Sequence, residues 1–228
     1  MKGPVQERNR RTKRVFDLIF AFVLIPVALP VSLVAAFFIW VTSGAPVFYV
    51  STRYIGLNRP IHVVKFRTMV RDATSPKYRL HERFMRDGFL DIPISCEIYT
   101  PIGRILERFQ IVELPQLLNV IVHGMSLVGN RPLPKENFET LSRLLQWETR
   151  FDSPAGITGI SQVVGKFNLQ PRERVGLESL YSKVYFEGNI LKCDVLILWH
   201  TIAAVLLRNK GISVEQAESL LRDCIQPK

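Results

Sequence analysis

The sequence predicts an α+β protein that is mainly α-helical, with a re-entrant membrane helix hairpin ahead of a small cytosolic domain with a short β-hairpin. Three observations predict this class: an uncharged run near the N-terminus, two alternating segments typical of paired strands, and later segments with apolar residues at helical spacing. Within the 228 residues we expect a basic segment over 1–14, a re-entrant membrane helix over 15–42 and one domain over 43–228.

The membrane prediction depends on the apolar run from Leu18 to Val41. Its 24 residues include no charge, and Ser32 is its one polar side chain. As one helix the run would be about 36 Å long, enough to cross a hydrocarbon core of about 30 Å. Pro26 and Pro30 interrupt it, and each removes a backbone donor and crowds the preceding turn. We therefore predict a membrane break at these two prolines.

The charge on both sides of this run favours a hairpin. The positive-inside rule places Lys and Arg on the cytosolic side, so a hairpin satisfies both flanks whereas a straight span would send one outside. A kinked helix that crosses the bilayer is the alternative. The basic residues before the run are Lys2, Arg8, Arg10, Arg11, Lys13 and Arg14, and those after it are Arg53, Arg59, Lys65, Arg67 and Arg71.

The rest of the chain predicts one domain. A β-hairpin is expected between Pro46 and Met69, with its turn at residues 56–60. The apolar segment Val195–Leu207 is too short to span a membrane, and it fits a buried core helix or an interfacial helix. Further helices are expected over 100–118, 134–151 and 175–185, with a Gly-rich loop over 153–166.

Composition narrows the function classes. The net charge is +10, from 30 Lys and Arg against 20 Asp and Glu. Such a balance predicts an anionic partner, which means nucleic acid, anionic lipid or a phosphorylated substrate. We expect no nucleic-acid partner, because no recognition motif or basic patch interleaved with aromatics is present. The three cysteines and four histidines lack metal-ligand spacing, so the cysteines are interpreted as reduced thiols.

Three motifs indicate a function as well as a fold. They are Lys65–Met69 (KFRTM), the pair Glu113–Val120 (ELPQLLNV) and Met125–Pro132 (MSLVGNRP), and Gly156–Gly159 (GITG) with Gln162 after it. In this order, behind a proline-broken apolar segment, they resemble the bacterial sugar transferase family of monotopic polyprenyl-phosphate phosphoglycosyl transferases. Each motif alone is weak and their joint occurrence is specific. The resemblance covers roughly residues 12 to 210.

The resemblance implies a Mg²⁺-dependent transfer of a sugar 1-phosphate from a nucleoside-diphosphate sugar to polyprenyl phosphate, in glycoconjugate or exopolysaccharide biosynthesis. It implies Glu113 as the catalytic and metal-binding carboxylate, and Lys65, Arg67 and Arg131 as phosphate-binding residues. It also implies contact with inner-membrane lipid at the cytosolic face of the bacterial inner (plasma) membrane. The resemblance leaves the assembly open between a homodimer and a heteromer with an active relative.

The sequence departs from the family pattern at the reaction centre. The pattern reads L-R-x-T-S-L-D-E-L-P-Q-L, and the anchor at Glu113 aligns Val112 with the nucleophilic aspartate and Glu107 with an arginine that holds phosphate. Valine cannot attack phosphorus. A glutamate repels a diphosphate where attraction was expected. Asn130 and Ala155 replace prolines of the pattern. The sequence therefore keeps the motifs of the fold, whereas the residues that the family pattern assigns to catalysis are replaced.

Two hypotheses of different class remain at this stage. One is an enzyme, a divergent phosphoglycosyl transferase that uses the covalent route or a direct attack on bound substrate. The other is a catalytically inactive pseudoenzyme that partners or regulates an active phosphoglycosyl transferase. Whether the chain turns over, and which sugar it would use, cannot be read from the sequence.

Overall fold

The computed structural model describes residues 4–122, 124–165, 169–206 and 211–225, and its first element is the 40-residue helix α1 (Pro4–Ser43). This helix continues through Pro26 and Pro30, so the structure does not confirm the predicted helix–break–helix hairpin. Each proline leaves only one carbonyl unpaired, that of the residue four positions earlier. The remaining helical hydrogen bonds hold the element together, as in proline-containing membrane helices.

The first turns of α1 are anchored in the folded domain. The Asn9 side-chain amide donates to the carbonyls of Tyr185 (3.0 Å) and Gly188 (2.9 Å). The Lys13 ammonium lies 2.5 Å from an oxygen of Asp194. The helix therefore crosses the predicted boundary between segments 1–14 and 15–42, and the division into 1–14, 15–42 and 43–228 stays a prediction.

Burial along α1 is one-sided. Its buried residues recur every three to four positions, with one wider gap, and lie at both ends of the helix: Gln6, Asn9, Lys13, Asp17, Ala21, Ala35 and Ile39. The opposite face exposes large apolar side chains such as Phe22 (60% exposed) and Leu33 (63%). Within the described residues, α1 alone is long and apolar enough to cross a membrane, and 11% of its apolar window is buried. Both ends of this helix thus pack on the same domain.

The domain is mainly helical, which confirms the predicted class. The described strands form three two-stranded pairs: the antiparallel β1 (Phe48–Tyr54) and β2 (Pro60–Phe66), the antiparallel β3 (Met85–Arg86) and β4 (Phe89–Leu90), and the parallel β5 (Ser126–Val128) and β6 (Gly156–Thr158). The helices after α1 are α2 (Leu80–Phe84), α3 (Pro101–Arg108), α4 (Leu117–Val122), α5 (Lys135–Leu141), α6 (Ile160–Val164), α7 (Pro171–Glu187), α8 (Ile190–Leu206) and α9 (Val214–Ile225). Three 3-10 helices accompany them: Pro76–Tyr78, Ile111–Gln116 and Trp147–Phe151.

The segment predicted as a Gly-rich loop, 153–166, instead holds β6 and α6. Glycines in both motifs permit close backbone pairing, because a Cβ on Gly156 would lie 2.1 Å from the Gly129 amide nitrogen and one on Gly129 would lie 2.2 Å from the Pro154 carbonyl oxygen. This contact brings the second and third sequence motifs side by side. The predicted helix over 134–151 is divided into α5 and the 3-10 helix Trp147–Phe151.

Helix α8 combines the two interpretations of the segment 195–207. Ile197 is fully buried in the main apolar core, whereas Trp199 on the other face is 65% exposed. The helix therefore has one core face and one open face; residue 207 lies outside the described residues. The main core also takes side chains from α4, β5, α6, α7 and α9.

Candidate functional site

The 3-10 helix Ile111–Gln116 sends two adjacent residues into different surroundings. Val112 is 2% exposed and belongs to an apolar cluster with Ala35 and Ile39 of α1, Phe66 and Leu106. At position 112, which the family resemblance aligns with a nucleophilic aspartate, the structure therefore has a packing residue that holds α1 on the domain. Val112 lines neither of the two cavities described below.

Glu113 faces the opposite way and pairs with Arg131. The Arg131 Nη1 lies 3.0 Å from one carboxylate oxygen, and its Nη2 binds the other, so the pair is bidentate. Burial alone would raise the pKa of Glu113, but the Arg131 guanidinium, with Lys65 and Arg53 nearby, lowers the pKa below its ordinary value. The Glu113 carboxylate is therefore ionised, and the Arg131 guanidinium balances its charge.

Arg131 is held from its backbone side by buried polar groups. Its carbonyl accepts from Arg150 Nη2 at 2.9 Å, and Arg150 Nε binds the fully buried Glu178 at 2.6 Å. Asn130, which replaces a proline of the family pattern, donates through its side chain to the carbonyls of Arg150 (2.8 Å) and Glu178 (2.9 Å). The backbone of Arg131 is therefore fixed, while its guanidinium is held by Glu113 and by the Ile157 carbonyl, to which Nη1 donates at 3.2 Å.

The β1–β2 hairpin adds two further cations. Tyr49 pairs with Lys65, Ser51 with Val63 and Arg53 with Ile61, so Arg53 and Lys65 lie on one face of the hairpin. Together with Arg131, Ser51 and Gln116 they line a recess of about 20 Å³. Burial, and then the charge of Arg53, lower the pKa of Lys65. Three cations around one carboxylate form a site that favours an anion.

A larger cleft of about 850 Å³ adjoins this recess, and Arg131 lines both. Glu107 and Glu113 also line the cleft, together with apolar residues of α1 and α8 and with further polar side chains that include Arg108 and Arg174. Glu107 accepts a hydrogen bond from the Thr68 hydroxyl at 3.0 Å, so the residue that replaces the family's arginine is tied to the first motif. Its negative charge partly offsets that of Lys65 and Arg131.

The structure brings Lys65, Arg131 and Glu113 together but places Arg67 elsewhere. The Arg67 Nη2 donates to the carbonyls of Ser43 (2.9 Å) and Gly44 (2.6 Å) at the end of α1. Arg67 therefore fixes the exit of the helix, and it lines neither the recess nor the cleft.

Sequence reasoning missed Arg53, which takes the place in the recess that had been predicted for Arg67. A signal for it was present in the predicted hairpin, because alternation places every second residue of a strand on one face. Pairing the two strands around the turn would have placed Arg53 on the face that carries Lys65.

The donor set does not fit Mg²⁺. Both oxygens of Glu113 bind Arg131, and Val112 replaces the second acid of the motif. Among the described residues no group of three or more His, Cys, Asp or Glu side chains could hold a metal ion. Mg²⁺ is usually held by one or two carboxylates together with substrate phosphates, and the carboxylate of this site is already paired with Arg131. The residues present therefore do not form a Mg²⁺ site.

Within the part of the chain that the structure describes, these features define a class: a protein whose long apolar helix packs on a domain with a cationic recess. The family comparison is more specific. The family model described as bacterial sugar transferase matches residues 8–208, and the chain belongs to this family.

Several characterised relatives are similar to the chain. The exopolysaccharide production protein ExoY of Sinorhizobium fredii is 28% identical over 90% of both chains. The UDP-galactose-lipid carrier transferase of Erwinia amylovora is 32% identical over 88% of this chain and 42% of its own length. The UDP-glucose:undecaprenyl-phosphate glucose-1-phosphate transferase of Escherichia coli is 31% identical over 71% of this chain and 33% of its own length. The chain thus matches ExoY nearly end to end and the other two over less than half their length.

Proposed function

We propose that this chain acts at the phosphosugar-transfer step of exopolysaccharide synthesis as a binding protein without covalent transferase activity. It would bind a nucleoside-diphosphate sugar and polyprenyl phosphate, but it would not catalyse the transfer of the phosphosugar from one to the other. The observation that carries this proposal is the burial of Val112 in the apolar cluster with Ala35 and Ile39. The names of the relatives support the substrate classes, since they include UDP-sugar and undecaprenyl-phosphate transferases.

The remaining carboxylate is badly disposed to replace the nucleophile. A covalent route needs a carboxylate oxygen in line with the phosphorus and free to attack. Both oxygens of Glu113 bind Arg131, so neither is free to attack unless this pair opens. Turnover through Glu113 would therefore need a rearrangement of the Arg131 guanidinium.

The cations that remain support phosphate binding. Phosphoryl groups are held mainly by positioning and charge neutralisation, for which arginine and lysine donors are suited. Arg53 and Lys65 have no carboxylate partner within the described residues, so both can pair with the oxygens of a ligand. We propose that these two residues and Arg131 bind the phosphates of the nucleoside-diphosphate sugar.

We further propose that the protein lies at the cytosolic face of the bacterial inner membrane. The packing of both ends of α1 on one domain supports a helix that enters the membrane and leaves it on the same side. The basic flanks of the helix agree with the cytosolic side. As a partner we propose an active relative with an intact Asp-Glu pair, to which this chain would present bound substrate; a homodimer is the other assembly.

The test is an assay of nucleoside monophosphate release. The protein in detergent is supplied with Mg²⁺, undecaprenyl phosphate and a panel of UDP-sugars, and UMP is measured. We expect binding of UDP-sugar without UMP release. UMP release that is abolished in Glu113→Gln would overturn the proposal in favour of an enzyme that acts by direct attack.

A paired variant separates loss of the nucleophile from loss of the whole site. Val112→Asp combined with Glu107→Arg restores both family residues, and Val112→Asp alone restores only the carboxylate. UMP release in the double variant, from a silent parent, would indicate a site that kept its binding function. If the parent fails to bind any UDP-sugar in equilibrium dialysis, the binding function itself is wrong.

A further inference from the structure

Two arginines lie at the end of α1, where the apolar helix passes into the domain. Arg67 is 7% exposed, and its Nη2 donates to the carbonyls of Ser43 and Gly44. The Arg71 side chain is exposed and lies against Gly44, because a Cβ on this glycine would be 2.7 Å from Arg71 Nη2. The two guanidinium groups therefore lie on the same residue at the exit of the helix, outside the recess and the cleft.

The charge of this pair is not balanced within the part of the chain that the structure describes. Neither arginine has a carboxylate partner there, and the adjacent Asp72 binds Lys77 instead. Burial, and then the charge of Arg71, lower the pKa of Arg67, and no acidic group opposes them. The carbonyls at the end of a helix offset only about half of one positive charge. More than one unit of positive charge is therefore left at this point.

Arg67 also has hydrogen-bond donors without acceptors. Its Nε and Nη1 are buried and have no partner in the described chain. Buried charged donors in this state are costly, and an anion nearby lowers that cost. The anion does not have to touch each of these donors, because a buried charge is screened little by water. Arg67 therefore favours an anion at the exposed Arg71 above it.

The surroundings of the pair are those of a membrane surface. The last turns of α1 expose apolar side chains, among them Trp40 (59%) and Val41 (58%). Tryptophan is enriched at the level of the lipid headgroups. The Gly44 amide donates to the Trp40 carbonyl at 2.9 Å, so Gly44 lies one helical turn, about 5 Å, beyond Trp40. The arginines therefore follow the apolar part of α1 at the depth where headgroup phosphates lie.

We infer that Arg67 and Arg71 form a site for the phosphate of an anionic phospholipid, where α1 leaves the bilayer. Arg71 contacts the headgroup, and Arg67 supplies charge beneath it while holding the carbonyls of Ser43 and Gly44. The position favours a lipid over a soluble phosphate, because the apolar side chains beside the cations can pack against acyl chains. This inference rests on the membrane placement in the proposed function and not on the binding of a nucleotide sugar.

Trp40 is a local reporter for this site. Trp147 is 5% exposed, and Trp199 is replaced by Trp199→Phe, so Trp40 is the tryptophan that lipid can reach. The full chain is reconstituted in phosphatidylcholine vesicles with a minority of phosphatidylglycerol, and either lipid carries bromine on its acyl chains to quench tryptophan on contact. We expect phosphatidylglycerol to quench Trp40 about fivefold or more above its share of the bilayer.

Arg71→Gln and Arg8→Gln are variants of equal charge at the two ends of α1. Both arginines are exposed, so neither change removes a buried contact. We expect Arg71→Gln to lower the quenching by phosphatidylglycerol to its share of the bilayer and Arg8→Gln to leave it unchanged. Equal losses in the two variants would indicate diffuse attraction to a basic surface and would overturn the inference. Quenching of the parent at the bilayer share would overturn it as well.

Two further measurements separate the source of the phosphate and the failure of the proposed function. Millimolar inorganic phosphate, added at constant ionic strength, should leave the enrichment unchanged; its loss would mean that the site takes soluble phosphate, and the lipid assignment would be wrong. Vesicle flotation tests the membrane placement itself. A parent that does not float with the vesicles would refute both that placement and the inference, whereas flotation without enrichment of phosphatidylglycerol refutes the inference alone.

Discussion

Two groups of charged side chains in the domain, one buried and one at the edge of a cavity, differ in how their charges are balanced. The anchor cluster joins Lys13 and Asp17 of α1 to Asp194 and Tyr181, all at most 2% exposed. Lys13 bonds Asp194, the Tyr181 hydroxyl donates to the other oxygen of Asp194 at 2.7 Å, and Asp17 accepts from the Leu127 amide at 3.1 Å. The recess cluster of Arg53, Lys65, Arg131 and Glu113 instead carries three cations for one carboxylate and borders a cleft.

This difference separates a structural role from a binding role. Buried charges are tolerated when they are paired and hydrogen-bonded, as in the anchor cluster. A surplus of one sign at the edge of a cavity is stabilised by a ligand of the opposite sign. The anchor cluster thus fixes α1 on the domain, and the recess cluster is the group whose surplus charge a ligand would balance.

The largest effect is expected in the anchor cluster. Lys13→Met removes the cation and leaves Asp194 buried without its ion pair, so we expect the free energy of unfolding to fall by about 3–5 kcal/mol. Urea denaturation in detergent micelles measures it. The exposed pair of Lys135 and Glu139 is the control, and Lys135→Met should cost at most about 0.5 kcal/mol.

A double variant tests whether the cost comes from the unpaired charge. Lys13→Met with Asp194→Leu removes the closest ion pair, while Asp17, 3.9 Å from Lys13 in the parent, keeps its hydrogen bond from the Leu127 amide, and Tyr181 can still donate to the Val128 carbonyl at 3.2 Å. We expect this variant to recover part of the lost stability. A double variant as unstable as Lys13→Met would mean that the cluster contributes through packing alone.

The second prediction tests the apolar surroundings of Val112. Val112→Asp buries a carboxylate among Ala35, Ile39 and Phe66, so we expect a loss of about 2–4 kcal/mol in the free energy of unfolding. Leu145→Asp, at a side chain that is 93% exposed, should change it by less than about 0.5 kcal/mol. Equal small effects of both changes, measured by urea denaturation, would indicate that position 112 opens to a polar site and would weaken the proposed function.

The third prediction moves to the recess cluster. Arg131→Gln removes the bidentate cation, and we expect affinity for UDP-sugar to fall about a hundredfold, since charged hydrogen bonds to phosphate are among the strongest in a site. Isothermal titration calorimetry measures this affinity. Arg143→Gln changes an exposed arginine outside the recess and cleft and should leave the affinity unchanged.

From the sequence, the charged residues near the recess could be predicted better than the groups that each of them contacts. The mainly helical class, the hairpin and the grouping of Lys65, Arg131 and Glu113 followed from pattern and resemblance. The use of Arg67 at the end of α1 could not be predicted, because it depends on where the helix exits against the carbonyls of Ser43 and Gly44. The continuous α1 was also missed, since the cost of two prolines is local while the packing of both helix ends on one domain is not visible in the apolar run.

The smallest predicted effect concerns the protonation of Lys65. Burial and the charge of Arg53 lower its pKa, which means that the folded protein disfavours the ammonium form. Binding of an anion requires that ammonium, so affinity should decline as pH rises through the lowered pKa, below the ordinary lysine value of about 10.4. We expect the affinity for inorganic phosphate to decline with rising pH above about pH 8, where phosphate is already mainly a dianion.

The matched control is Lys65→Arg, which keeps its charge over this range because a guanidinium does not deprotonate there. Equilibrium dialysis of radiolabelled phosphate at each pH gives the affinities for the parent and the variant. A flat profile for Lys65→Arg beside a declining one for the parent would identify Lys65 as a cation that contacts the anion. Parallel profiles would mean that the surplus charge of the recess is balanced within the protein, and the contrast with the anchor cluster would then disappear.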